Sequence, residues 1–274
     1  MNLKIFNNMK FTAFEKSDLQ NLSELQPPDW GDLVPRFEYF LKSAYCHPVK
    51  LTEDNETIAI GTSMLHQDSA WLACIIVHPN HRKKGLGNII TQKLIDGIDR
   101  QKFKAIYLDA TDMGYPVYKK LGFEIEAEYV HLKREAPFPS YPTSPNIIPF
   151  REELKEQILK LDEQISGENR CGILCDFLKQ SQIYLDGHNV QGFYIPGWGD
   201  GPVIADNAVA GIELLKLRSQ NMDSAVLPPD ITIALDFLEK HGFVIYKKSK
   251  RMILGQKKPW NANGIFNWIS GQLG

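Results

Sequence analysis

Apolar and polar positions alternate along this chain in a way that predicts short strands and amphipathic helices, in an order that occurs twice. Residues 9–14 (MKFTAF) predict a first strand, and Ser17 is placed to cap a helix that Pro27-Pro28 ends. A second helical stretch, residues 32–45, carries Leu33, Phe37, Phe40 and Leu41 on one face. Strands at 50–53 and 57–66 follow, joined by the turn-forming pair Asp54-Asn55. Residues 71–77 (WLACIIV) are a short, partly β-branched apolar run closed by Pro79, which predicts a buried strand. Ile90, Leu94, Ile95 and Ile98 then recur at helical spacing. A strand at 104–110, a short helix at 111–121 and a strand at 123–133 complete the first half; there Glu124, Glu126 and Glu128 alternate with Ile125, Ala127 and Tyr129, the pattern of a half-exposed face.

From Ala136 to Pro149 five prolines stand in 14 residues. Proline removes N–H donors and breaks both regular structures, so this segment reads as an extended, semi-rigid linker. Beyond it the pattern returns: helices at 152–165 and 171–179, strands at 181–185, 190–195 and 202–205, a helix at 207–219, a strand at 225–227, a helix and a final strand to Leu254. The stretch ALDFLEKHGF (234–243) echoes Val117–Phe123. A length of 274 residues suits two domains. The expected organisation is a domain at 1–135, a linker at 136–149 and a second domain at 150–274, each α/β with a mixed sheet.

Bulk composition narrows the function classes. A net charge of −2 gives no reason to expect nucleic acid or an anionic membrane as partner. No apolar run approaches the ~18 residues of a membrane span, and the N-terminus MNLKIFNNMKF has no signal-peptide core. Cys46, Cys74, Cys171 and Cys175 are few and spread; Cys171 and Cys175 lack a histidine at zinc spacing and read as buried free thiols. The expectation is a cytoplasmic protein without a metal, monomeric or homodimeric.

The candidate chemistry lies just after the WLACIIV strand. The turn Arg82-Lys83-Lys84-Gly85-Leu86-Gly87 is basic and twice broken by glycine, and Asn88 follows it into a helix. Free backbone N–H groups and the positive end of the helix dipole make such a turn an anion site, the bland alternative being a solvated basic turn. It lacks the spacing of a P-loop and the three glycines of a dinucleotide fold. It resembles the Arg/Gln-x-x-Gly-x-Gly/Ala signature of the GNAT superfamily of N-acyltransferases, and Tyr115-Pro116-Val117-Tyr118-Lys119-Lys120-Leu121-Gly122-Phe123 resembles that family's Tyr-x-x-x-Gly-Phe element. The order of elements is also the family's.

The resemblance implies two tandem acyl-CoA N-acyltransferase domains and acetyl-CoA as cosubstrate. Arg82, Lys83, Lys84, Gly85, Leu86, Gly87 and Asn88 would take its pyrophosphate, mostly through backbone N–H groups. Ile75, Ile76 and Val77 would bind the pantetheine arm and the thioester carbonyl where the strand splays from its neighbour. Tyr118 would protonate the leaving thiolate, against a plain core aromatic. Thr111 stands where many members carry an asparagine that bonds the pantetheine. The general base stays open among His47, His66, His78 and Asp109. In the second half the strand-turn-helix step reads GPVIADNAVAGIELL, with no Arg-x-x-Gly-x-Gly, and Phe237 or Leu238 stands in for the tyrosine. That half is expected to be a degenerate copy closing over the first. Trp198, in the loop PGWGDG, is either a wall of the acceptor pocket or a packed turn residue. The aromatic tail around Trp260 and Trp268 either docks back on a domain or lines a dimer contact. The activity implied is transfer of an acetyl group to a small-molecule amine by direct attack in a ternary complex, with a protein acetyltransferase or a non-catalytic acyl-CoA sensor as alternatives.

Overall fold

The computed structural model describes residues 8–28 and 30–271. The first half opens with strand β1 (Met9–Ala13), a 3-10 turn at Lys16–Asn21, and helices α1 (Leu22–Leu25) and α2 (Val34–Lys42). Ser17 does not cap the turn. Glu15 is the N-cap of a capping box, in which Asp18 at the third position accepts from the Glu15 N–H at 2.7 Å while also pairing with Lys50. A carboxylate at that position satisfies an orphan donor more strongly than a hydroxyl.

Strands β2 (Cys46–Glu53), β3 (Glu56–Leu65) and β4 (Ser69–Val77) follow as an antiparallel run. The hairpin turn between β2 and β3 is Asp54-Asn55 with φ of 51° and 71°, the left-handed pair that matches strand twist. Helix α3 (Leu86–Asp96), β5 (Ala105–Ala110), α4 (Tyr115–Lys120) and β6 (Glu124–Lys133) complete this half. The second half contains β7 (Ile147–Pro149), α5 (Lys155–Ser166), α6 (Cys171–Phe177), β8 (Gln182–Asp186), β9 (Asn189–Tyr194), β10 (Val203–Ala205), α7 (Ala208–Ser219), β11 (Ser224–Leu227), α8 (Thr232–Lys240), β12 (Val244–Gly255) and β13 (Ile265–Asn267).

Two sheets result, a mixed one of eight strands and an antiparallel one of five, and the strand order crosses the expected domain boundary. One sheet runs β1-β2-β3-β4-β5-β12-β6-β11, the other β13-β10-β9-β8-β7. Strand β12 is therefore inserted between β5 and β6, pairing Arg251 with Asp109 on one side and with Ala127 on the other. Strand β6 in turn pairs with β11 of the second half. Each half lends its last long strand to the other.

The exchange alters one position of the half-exposed face. Glu124 and Glu128 are exposed as read, but the Glu126 side chain is only 7% exposed, its carboxylate bound at 2.5 Å by Arg251, carried in on β12. The thiols differ from expectation too, since Cys171 and Cys175 are half-exposed while Cys46 and Cys74 are buried; none of the four is in a disulfide among the described residues.

The proline-rich segment is anchored. Phe138 packs against Phe237 and His241, and the Tyr141 hydroxyl meets His241 Nε2 at 2.7 Å. Its last three residues form β7 beside β8. The aromatic tail docks back within the chain: Trp268 stacks on Tyr129 at 4.9 Å and lies 5.6 Å from Trp71. Among the described residues no helix is long and apolar enough to cross a membrane.

Candidate active site

Strand β4 builds the site by two departures from regular pairing. It runs parallel to β5 only through Ser69↔Ala105, Ala70↔Ile106 and Trp71↔Tyr107, although β4 continues to Val77 and β5 to Ala110. Beyond Trp71 the two strands part and leave an open V. On the other edge, the register with β3 slips between Ile60↔Ile76 and Thr62↔Ala73, and Cys74 holds φ at 50°. A β-branched or bulky residue rarely adopts that conformation, and a bulge of this kind re-aims the strand beyond it.

Alternation then says which backbone groups face the V. His78 donates its N–H to Ile58 O on the β3 side, so Val77 and Ile75 turn theirs to the open side and Ile76 turns its own away. Val77 O already accepts from Arg82 Nε at 3.2 Å. The Arg82 side chain thus ties the turn to the strand end.

The turn itself has the geometry of an anion cradle. Lys83 and Gly85 take φ of 63° and 83°, and Gly85 occupies the N-cap of α3 with no side chain to cap it. By helix geometry the N–H groups of Leu86 and Gly87 precede the first intrahelical acceptor. Gly87 is informative because the protein does not need a glycine there. Its φ is not left-handed, and an added Cβ would make only ordinary contacts, 3.9 Å to Val77 Cγ2 and 4.0 Å to Val117 Cγ2. The gap between α3 and α4 is kept clear at this point.

Tyr118, on α4, is buried with its ring against Gly114, where an added Cβ would lie 2.7 Å from Cε2. Its hydroxyl has no hydrogen-bond partner among the described residues. Burial first, and the Asp109 charge second, push its pKa up, so the phenol stays protonated at neutral pH. Thr111 caps the turn leading into α4, its Oγ1 accepting from Gly114 N at 3.2 Å. Its hydroxyl proton is left for another acceptor.

Asp109 stands near the end of β5. Its Oδ1 is shut off from solvent and has no hydrogen-bond partner among the described residues. Burial raises its pKa to about 6, against the pull of a Ser249 hydrogen bond and of the Lys247 and Arg251 charges. Asp200, from the loop between β9 and β10, lies close enough for its own charge to add to that rise. Burial also pushes Asp200 up, opposed by Arg36 on α2 and by Arg218. The Cys74 thiol at the bulge feels Arg36 as well. Gly271 closes this side, since a Cβ there would fall 2.6 Å from Asp109 Oδ2.

The other base candidates lie elsewhere. His47 is exposed on β2. His66 is buried at the far end of the β3–β4 hairpin, where burial lowers its pKa to about 4. His78 caps the 3-10 turn after β4 by accepting from Asn80 N at 3.3 Å. Trp198 is fully buried, stacked 5.8 Å from Phe177 with the Arg170 guanidinium 5.3 Å from its ring. It lines no open surface. Two positions on, Asp200 is half-buried, and its charge is the one that acts on Asp109.

The second half repeats the step with a different outcome. At the corresponding place β10 is three residues long, and Asn207 caps α7 with its own Oδ1 on Ala210 N at 3.0 Å. The edge of β10 is paired with β13, and Trp268 N donates to Val226 O on β11 at 2.6 Å. Phe266 occupies the space over Gly211, where a Cβ would lie 2.2 Å from its ring. The groove between β10 and β11 is filled by the chain's own tail.

A parallel strand pair that splays past a bulge thus opens beside a helix N-terminus suited to an anion. Family profiles make the assignment specific. That of the acetyltransferase (GNAT) family matches residues 12–123 and that of a GNAT acetyltransferase domain matches residues 158–267, so the two together span most of the chain. The chain belongs to the GNAT family of acetyltransferases and carries two GNAT domains in tandem. The structure is similar to that of a putative acetyltransferase from Pyrococcus horikoshii, with TM-score 0.84 at 19% identity over 98% of this chain and 97% of that one. It is also similar to a GCN5-related N-acetyltransferase from Sphaerobacter thermophilus (TM-score 0.61, 13% identity, 93% and 97% covered). A tandem GNAT protein from the clavulanic acid biosynthesis pathway gives TM-score 0.60 at 10% identity, with 92% and 99% covered. At these identities the likeness is one of fold. No curated protein matches the sequence.

Proposed function

We propose that the first domain transfers an acetyl group from acetyl-CoA to the amine of a small molecule by direct attack in a ternary complex, while the second domain closes the acceptor side and takes no cofactor of its own. The observation that carries this reading is the open V between β4 and β5, with Gly87 clear at its mouth and Tyr118 and Asp109 at its sides. The filled groove between β10 and β11 supports the silence of the second domain. Gly271 against Asp109 supports a small acceptor, because it narrows the approach.

The roles follow from the chemistry. The N–H groups of Leu86 and Gly87 and the α3 dipole hold the pyrophosphate. Backbone groups of Ile75 and Val77 hold the pantetheine, and an N–H on this edge polarises the thioester carbonyl. Asp109 takes a proton from the ammonium, and its raised pKa brings it nearer the working pH than an ordinary aspartate. The freed amine nitrogen bonds to the carbonyl carbon and the C–S bond breaks. Tyr118 gives its proton to the thiolate and regains one from the nitrogen as the amide forms, releasing the acetylated product and coenzyme A.

Gly87→Asp tests the cofactor site cleanly. The new Cβ meets no clash, and a carboxylate at a helix N-terminus does not weaken the helix. Wild type in acetyl-CoA at 100 times Kd should gain about 2.7 kcal/mol, read as a higher Tm. The variant should fold as well as wild type and show no such gain; an unchanged gain in Gly87→Asp would refute the assignment. Tyr118→Phe separates enzyme from sensor, since it should keep the thermal shift and lose turnover.

A further inference from the structure

Two turns beside the anion loop each carry a pair of metal-ligating side chains three positions apart. Glu53 and Glu56 flank the β2–β3 hairpin turn, and His78 and His81 bracket the 3-10 turn after β4. The hairpin register sets Glu53 directly opposite Glu56, where like charges disfavour each other. Among the described residues neither glutamate pairs with a lysine or an arginine, and the group that meets both is the His81 ring. Its Nε2 is 3.5 Å from Glu56 Oε1, and its Nδ1 is 3.8 Å from Glu53 Oε2. That Nδ1 is shut off from solvent and has no hydrogen-bond partner among the described residues. The His78 ring stands 5.6 Å from that of His81 and nearly perpendicular to it. One ligand atom from each of Glu56, His78 and His81 lies within 4.8 Å of the other two. The cluster is open to water on the hairpin side, since the Glu56 side chain is 55% exposed while that of His81 is 15% exposed.

We propose that Glu56, His78 and His81 bind a divalent transition ion of the zinc class, a site that does not depend on the transferase reading. Two imidazoles and a carboxylate form a zinc donor set, whereas magnesium and calcium take oxygen ligands. Ligands held at about 2.0–2.1 Å around a tetrahedral ion stand roughly 3.3 Å apart. The 3.5 Å between Glu56 Oε1 and His81 Nε2 already suits two of them, and the exposed Glu56 side chain has room to adjust. With Nε2 on the ion, Nδ1 carries the ring proton and can donate it to Glu53. That arrangement gives the sealed Nδ1 a partner and places positive charge beside the facing carboxylates. His78 serves by giving up the long 3.3 Å bond that its Nδ1 accepts from Asn80 N, because the ring nitrogen away from the ion is protonated and the one on it is occupied. Asn80 is exposed, so its N–H then bonds to water. A fourth position on the open side is left to water. The ion ties the β2–β3 hairpin to the end of β4 one residue before Arg82, where the anion turn begins.

The test uses tag-free, full-length protein stripped with EDTA and titrated by calorimetry with Zn²⁺, with Mg²⁺ as the control ion. One Zn²⁺ should bind per chain and raise Tm, and Mg²⁺ should do neither. Co²⁺ in the same site should show the intense visible absorption of a tetrahedral ion. Glu56→Gln and His81→Gln should each weaken Zn²⁺ binding by at least about tenfold, since even the outer partners of metal ligands carry 10- to 100-fold. Glu56 is exposed enough for its variant to keep the fold whether or not His81→Gln does. Glu53→Gln should weaken binding less, and His188→Gln, on an exposed turn of the second half, should leave it unchanged. Absence of Zn²⁺ binding with the ion in excess, or an affinity unaltered in both Glu56→Gln and His81→Gln, overturns the proposal. A Tm rise with Mg²⁺ equal to that with Zn²⁺ overturns it too, because carboxylates would then be binding without the imidazoles.

Discussion

Replacing Arg251 with methionine would expose how much of the molecule depends on a charge buried at the strand exchange. Arg251 is 1% exposed on β12, with Nε 2.5 Å from Glu126 and Nη2 3.2 Å from Glu168. The rings of Trp71, Tyr107, Trp260 and Trp268 surround its guanidinium at 4.5 to 5.3 Å. Methionine keeps much of the volume but leaves two carboxylates without this cation. Removing one partner of a buried pair costs about 3–5 kcal/mol. Glu168 retains hydrogen bonds from Ser69 Oγ at 2.6 Å and Trp71 Nε1 at 2.9 Å, which argues for the lower end. At about 2–4 °C per kcal/mol for a chain near this size, Tm should drop by roughly 6–12 °C. Calorimetry should also show a change in acid sensitivity. Burial pushes the Glu168 carboxyl up, but Arg251, His66, Arg170 and the Ser69 hydrogen bond outweigh it and hold the pKa below the ordinary value. A depressed carboxyl stabilises the fold above its unfolded pKa, and that contribution disappears as pH falls through the folded one. Wild type should therefore lose stability below about pH 4.5, and Arg251→Met should lose that slope. Adding Glu126→Gln and Glu168→Gln to Arg251→Met should recover at least half the deficit. A single variant within about 1 kcal/mol of wild type, or a triple variant no better than the single, would refute the reasoning.

The catalytic rate should follow the Asp109 titration. Its pKa of about 6 reflects burial and Asp200, opposed by Ser249, Lys247 and Arg251, and in the proposed mechanism the deprotonated form is the base. The kcat/KM profile should rise through about pH 6 to a plateau that holds until the acceptor ammonium titrates, and Asp109→Asn should be slow without that limb; a wild-type profile flat from pH 5 to 8 would exclude the role. The exchange of β6 and β12 makes a second prediction. Halves cut between Thr143 and Ser144 should co-purify as a folded complex when coexpressed, and each alone should lack a stable sheet by circular dichroism.

Local chemistry made much of this legible in the sequence. The left-handed turn at Asp54-Asn55, the β4 run closed by Pro79, the glycine turn at α3 and the Tyr118 helix are each written in a few neighbouring residues, and the structure places them as read. Contacts that depend on distant strands were not legible. Nothing local in Glu126 distinguishes it from Glu124 and Glu128; only β12, some 125 positions on, makes it a buried anion. The loop PGWGDG drew attention to Trp198, since aromatic residues on glycine loops suggest a wall, yet a large apolar ring is more favourably packed in the core, and Trp198 is fully buried. The bulge at Cys74 carries no signature in side-chain type. Strand β13 is only three residues long, too short for periodicity to mark.

The exchange of last strands also constrains how this chain can change over generations. If the second domain takes no cofactor, as proposed, its turn at Asp206-Asn207 is under no demand to keep a cofactor loop. Strand β12 is not free, because it completes the sheet beside β5 and carries Arg251 onto Glu126 of the first domain. Selection on the fold of one half is therefore inherited by the other, because the eight-stranded sheet is complete only with strands of both.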